Sequence, residues 1–115
     1  MELNDATEAL SGLAQNSRLA IFRCLVEAGD EGLRPTQIAA ALGIPPNTLS
    51  FHLRGLLTAR LVSQEKSGRM LIYRADFMRM RELLLFLTTN CCGGRPCAAT
   101  NTADSTIATQ DVCDS

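Results

Sequence analysis

The chain has 115 residues, a formal net charge of −1, 46% hydrophobic residues and five cysteines. That length suits one domain with a modest core and leaves little room for a separate catalytic domain. No stretch approaches the roughly 20 apolar residues of a membrane span, and the acidic N-terminus MELNDATEAL lacks the positive region of a signal peptide; a cytoplasmic protein without membrane contact is expected.

In chain order, Leu3, Leu10 and Leu13 mark a first short helix that ends near Gly12 to Ala14. Asn16 or Ser17 can cap a second helix, in which Leu19, Phe22 and Val26 make one stripe and Ile21 and Leu25 widen it. Gly29 stops that helix. Cys24 sits among these apolar positions and reads as a small, inert core thiol. Pro35–Leu42 reads as a third helix closed by Gly43, and Ile44-Pro45-Pro46 breaks the chain before a fourth, with Pro46 suited to its first turn.

The fourth helix lies in Pro45–Arg60, PPNTLSFHLRGLLTAR. Leu49, Leu53, Leu56 and Leu57 follow the spacing of one buried stripe. Asn47, Phe51, Arg54 and Gly55 then point away from it, with Ser50 and His52 on its flanks. An amide, a hydroxyl, an imidazole, an aromatic ring and a guanidinium can hydrogen-bond or pack against base edges in a major groove. A short helix, a tight turn and a second helix with a polar outer face make a helix-turn-helix, against the plainer alternative of a helical hairpin with a solvated face. Leu61–Lys66 and Arg69–Arg74 read as two strands joined by a Ser67-Gly68 turn. Lys66 and Arg69 flank its tip, so the hairpin would carry positive charge to a DNA backbone as a wing. Charge is segregated to match: residues 32–95 hold nine basic groups against three acidic ones, while both ends of the chain are acidic.

Asp76 can cap a last helix over Phe77–Asn90. It begins amphipathic, with Phe77, Met80, Leu83, Leu84 and Leu87, and becomes apolar nearly all round through LLLFL. A helix apolar on more than one face needs cover on more than one side, which predicts a two-fold homodimer with two recognition helices for two half-sites. The expected fold is mainly α with a small β wing, a dimeric winged helix-turn-helix. Residues 1–90 would form the DNA-binding and dimerisation domain, 91–97 a cysteine-rich loop, and 98–115 a disordered tail.

The loop holds Cys91, Cys92 and Cys97. An odd cysteine count in a cytoplasmic chain is not a disulfide framework. Gly93-Gly94 permits a reversal, Pro96 stiffens the return, and Arg95 can depress the thiol pKa values. Three thiolates without a fourth close partner suit trivalent arsenic or antimony; zinc prefers four tetrahedral ligands and would need Cys113 or a partner chain. A reversible disulfide from Cys91 or Cys92 to Cys97 is a further alternative. Cys113 reads as incidental. A thiol enzyme such as an arsenate reductase has no support beyond the cysteines, because the chain has neither a phosphate loop of the type Cys followed by five residues and Arg nor a C-x-x-C pair.

Taken together, SRLAIFRCL, TQIAAALGIPPNTLSFHLRGLLTARLV and the wing ending in LIYRADF resemble the ArsR/SmtB family of winged-helix metal-responsive repressors over residues 8–90. The resemblance implies a dimer on double-stranded operator DNA that leaves when a metal or metalloid binds. By position it implies DNA contacts at Gln37, Thr48, Ser50, His52 and Arg54. The cysteine pair that many arsenic-sensing members carry on the supporting helix is absent, Arg34 and Thr36 standing there. The histidine and carboxylate site of the zinc sensors on the last helix is absent too, since His52 is the sole histidine. The Cys91, Cys92 and Cys97 cluster is similar to the arsenite site that a subset of the family carries after that helix. The implied inducer is As(III) or Sb(III), with no resident cofactor and no enzymatic activity.

Overall fold

The computed structural model describes residues 1–89. They form α1 (Leu3–Leu13), α2 (Asn16–Ala28), a 3-10 turn (Gly29–Glu31), α3 (Pro35–Leu42), α4 (Pro46–Thr58), β1 (Val62–Ser67), β2 (Met70–Ala75) and α5 (Phe77–Thr88). Residues Met1–Leu84 make one compact unit and a second begins at Leu85, so the division falls inside α5. Five helices and one antiparallel hairpin give the expected winged helix-turn-helix. Asn90 and the cysteine cluster lie outside the described residues. Among those described, no helix is long and apolar enough to cross a membrane.

Helix boundaries follow local chemistry. Gln15, rather than Asn16 or Ser17, caps α2: its Oε1 accepts from the Arg18 backbone N–H at 3.0 Å. Pro45 and Pro46 open α4 as N-cap and first helical residue, where a missing N–H costs nothing. Asp76 caps α5, its Oδ1 accepting from the Arg79 N–H at 3.0 Å. Such caps each contribute about 1 kcal/mol.

The core is built from Ile21 and Leu25 of α2, Ile38 of α3, Leu49 and Leu56 of α4, and Leu61, all fully buried. Burying a side chain of this size contributes about 1.5–3 kcal/mol, so these few residues hold the three central helices together. Three positions on α2 and α4 differ from the expected stripes. Leu19 is 44% exposed and stands outside the α2 face, which is centred on Ile21, Phe22 and Leu25. On α4, Leu57 is only half-buried, and His52 turns inward beside Leu49, Leu53 and Leu56.

The hairpin pairs Val62 with Ala75 through Ser67 with Met70, so its two-residue loop is Gly68-Arg69, one residue later than expected. Gly68 has φ 62° and Arg69 is not in the left-handed region, the pattern of a type II′ turn with glycine first. The base of the wing is fastened to the body. Leu33 and Tyr73 exchange backbone hydrogen bonds of 2.9 and 2.8 Å, and Arg74 donates to the Asp30 carbonyl at 2.7 Å and to Glu65 at 2.6 Å. The tip, Ser63–Met70, stands exposed.

Arg79, expected on no buried face, is buried. Its Nη2 lies 3.3 Å from the Glu8 carboxylate, 3.4 Å from the Asp5 carbonyl and 3.5 Å from the Ala59 carbonyl. A buried guanidinium persists only with such partners, and these tie the start of α5 to α1 and to the end of α4. On the same side Leu83 is buried. Met78, Leu84, Leu85 and Leu87 are exposed on α5, as are Leu3 and Leu10 on α1. By helical angle, Leu84 and Leu87 share one flank of α5 while Met78 and Leu85 share the other.

Candidate nucleic-acid interface

A helix can read bases only if it carries polar side chains that its own core does not use. On α4, Asn47, Thr48, Ser50, Phe51 and Arg54 are all exposed, Phe51 at 59%. α3 supports this helix from behind through Ile38, and the Gly43 C-cap lets the chain turn between them. Gln37, on α3, is exposed, but its Oε1 accepts from the Arg34 backbone N–H at 2.8 Å. Its carbonyl oxygen thus serves as a cap, which orients the side chain, and its amide N–H groups are left to donate to DNA.

His52 corrects the expectation. It is 7% exposed, its Nδ1 has no hydrogen-bond partner, and its ring meets Phe51 edge-on with centroids 5.5 Å apart. A ring so enclosed offers no edge to a base; it packs beneath Phe51 instead. The periodicity placed it on a flank of the helix, where the packing of neighbouring elements decides the outcome.

Lys66 and Arg69 stand at the exposed tip of the wing, Arg69 in the turn itself rather than in the strand. Much of the basic excess read from the sequence is spent internally. Arg60 pairs with Asp5 at 3.5 Å and Glu8 at 4.0 Å, Arg74 with Glu65, and Arg79 with Glu8. Among the described residues Arg54 on α4 and Lys66 and Arg69 at the wing tip have no ion-pair partner, as is true of Arg18, Arg34 and Arg81 elsewhere, so free positive charge remains on the reading helix and the wing tip. Unpaired cations there can neutralise phosphates and release counterions.

Cys24, expected as a core thiol, is only half-buried. Burial, aided by the Glu27 carboxylate, pushes its thiol pKa up, which makes it a poor thiolate and a poor metal ligand. Among the described residues no group of three or more His, Cys, Asp or Glu side chains is placed to hold a metal ion.

An exposed polar helix beside a fastened, basic-tipped hairpin is the arrangement that winged helix-turn-helix proteins set against DNA, and the chain is of that class. A family profile described as a helix-turn-helix domain matches residues 13–65. Comparison with curated protein sequences gives no match. Among solved structures, the AntR antimony-specific transcriptional repressor is 31% identical, with a TM-score of 0.60, covering 75% of this chain and 77% of its own. HlyU from Vibrio cholerae is 29% identical at a TM-score of 0.60, covering 76% of this chain and 97% of its own. A homodimeric winged helix-turn-helix domain from Mycobacterium bovis, described as a possible ArsR-family transcriptional regulator, is 26% identical at a TM-score of 0.62, covering 75% and 78%. The chain belongs to the ArsR family of transcriptional regulators, with a DNA-binding winged helix-turn-helix.

Proposed function

We propose that this regulator is a cytoplasmic homodimeric repressor of a metalloid-responsive operon, released from its operator when As(III) or Sb(III) is bound by Cys91, Cys92 and Cys97. Asn47, Thr48, Ser50, Phe51 and Arg54 would contact the groove, with Gln37, Lys66 and Arg69 on its margins. The observation that carries the reading is the chemistry of the donor set: three cysteines within seven residues, directly after a helix with exposed apolar flanks. Arsenous acid can condense with three cysteine thiols, each As–O bond giving way to an As–S bond as the hydroxyl leaves with the thiol proton as water, and keeps its lone pair on the open side. Soft sulfur donors select such an ion over hard cations. The AntR repressor, described as antimony-specific, supports the same ligand class. Repression also needs two reading heads at a fixed spacing, and the apolar surface of α1 and α5 is the natural seam.

The switch requires that the metalloid-loaded dimer fit DNA worse than the free dimer, with a coupling of about 1–3 kcal/mol, or roughly 5–150-fold in affinity. Arsenite titrated into the operator complex should release the wild type and leave the Cys91→Ser/Cys92→Ser variant bound. Release that persists unchanged in the variant would remove the site assignment. Release by peroxide but not by arsenite would make the same cysteines a redox switch.

A further inference from the structure

We propose that the cleft between α1, α2 and α4 seats a DNA backbone phosphate, gripped by Arg18 with Arg54 beside it. The inference rests on the DNA-binding reading of α4. The cleft has a volume of about 360 Å³, and its floor is the α4 stripe Phe51, Arg54, Gly55 and Thr58, walled by the end of α1 and the start of α2. That stripe continues, one turn at a time, the outward face that begins at Asn47.

Arg18 is held in this cleft from two sides. Its Cζ lies 5.8 Å from the centre of the Phe51 ring. A Cβ built on Gly55 would come within 3.2 Å of both Cζ and Nε, so the guanidinium rests directly on the bare backbone of α4. Its buried Nε has no hydrogen-bond partner, and among the described residues neither Arg18 nor Arg54 has a carboxylate within ion-pair distance. The one carboxylate on the rim, Glu8, is turned to Arg79 and Arg60. Leaving that buried Nε–H unspent is costly, and a guanidinium that makes no ion pair of its own is free to take up an anion. A planar guanidinium fixed in place, with a second cation beside it, is a pre-organised receptor for a phosphate oxyanion.

The position selects the phosphodiester over a base. The cleft is recessed between two helices, beside the helix that enters the groove, where the sugar-phosphate strand at the groove's edge passes and base edges do not reach. Such a contact positions the protein without adding sequence preference.

The test is the salt dependence of binding, measured without inducer on operator and on unrelated duplex. Each phosphate contact contributes about 0.9 to the slope of log affinity against log salt. Arg18→Gln should therefore lower the slope by about 2 for a dimer and weaken both DNAs by the same factor. Gly55→Ala retains every charge but displaces the guanidinium, and should reproduce the direction of the effect. An unchanged slope in both variants overturns the proposal, as does a loss confined to the operator, which would make Arg18 a base reader. Protection of the free protein against unfolding by inorganic phosphate, with unchanged slopes, also overturns it by assigning the cleft to a small anion. Unchanged slopes with intact arsenite release would remove this inference alone. Lowered slopes without arsenite release would remove the metalloid reading alone.

Discussion

Charging one flank of α5 with Leu84→Glu and Leu87→Glu is expected to split the proposed dimer and to cut operator affinity by about 100-fold or more. Both side chains are exposed in the single chain, at 42% and 54%. Surface substitutions of this kind cost a fold only about 0.5 kcal/mol, so each chain should retain its helical content and thermal transition. In a two-fold assembly every change occurs twice, and four carboxylates would face one another across an apolar seam. Two linked half-site contacts gain about 10²–10⁴ over one through effective concentration, and that gain is what a monomer loses. Sedimentation and operator titration check both parts. A variant that remains dimeric with full affinity would move the seam to another surface.

Gly32→Ala is expected to destabilise the fold by about 3–4 kcal/mol, while Gly68→Ala costs about 1–2, the left-handed penalty alone. Both glycines have positive φ, 70° and 62°. At Gly68 an added Cβ meets nothing within 4 Å, because the turn is at the wing tip. At Gly32 it would lie 2.5 Å from the Tyr73 carbonyl oxygen. That oxygen cannot withdraw, since the Leu33 N–H donates to it at 2.9 Å and the Tyr73 N–H donates back to the Leu33 carbonyl at 2.8 Å. Relief of the clash breaks this pair, and buried backbone groups left unmatched cost about 1–3 kcal/mol each. The damage falls where the wing is fastened, so DNA affinity should drop with stability. Denaturant unfolding of the two variants checks the ranking; equal losses would contradict it.

What could be read from the sequence was set by local rules. The bounds of α3 follow from Pro35 and Gly43, the start of α4 from Pro45-Pro46, and the cap of α5 from Asp76. Each of these is a backbone preference of one or two residues, independent of what packs nearby. The features that escaped depend on contacts distant in sequence. Arg79 is drawn inside by acceptors on α1 that lie more than 70 residues away. His52 is enclosed by the packing around α4, and Leu19 is left outside by a rotation of α2 that periodicity cannot fix. Arg18 owes its position to Phe51 and Gly55, which no spacing links to it. The wing turn falls one residue later than local chemistry suggests because Ser67-Gly68 and Gly68-Arg69 both offer a glycine, and only the strand register distinguishes them.

The proposed coupling between the cysteine cluster and the reading heads is tested most directly through its reciprocity. Arsenite affinity is measured once for the free wild-type dimer and once for the same dimer saturated with operator. Weaker arsenite binding on DNA is expected, by the same factor of roughly 5–150 by which arsenite weakens the operator complex. Equal arsenite affinity in the two states would contradict it.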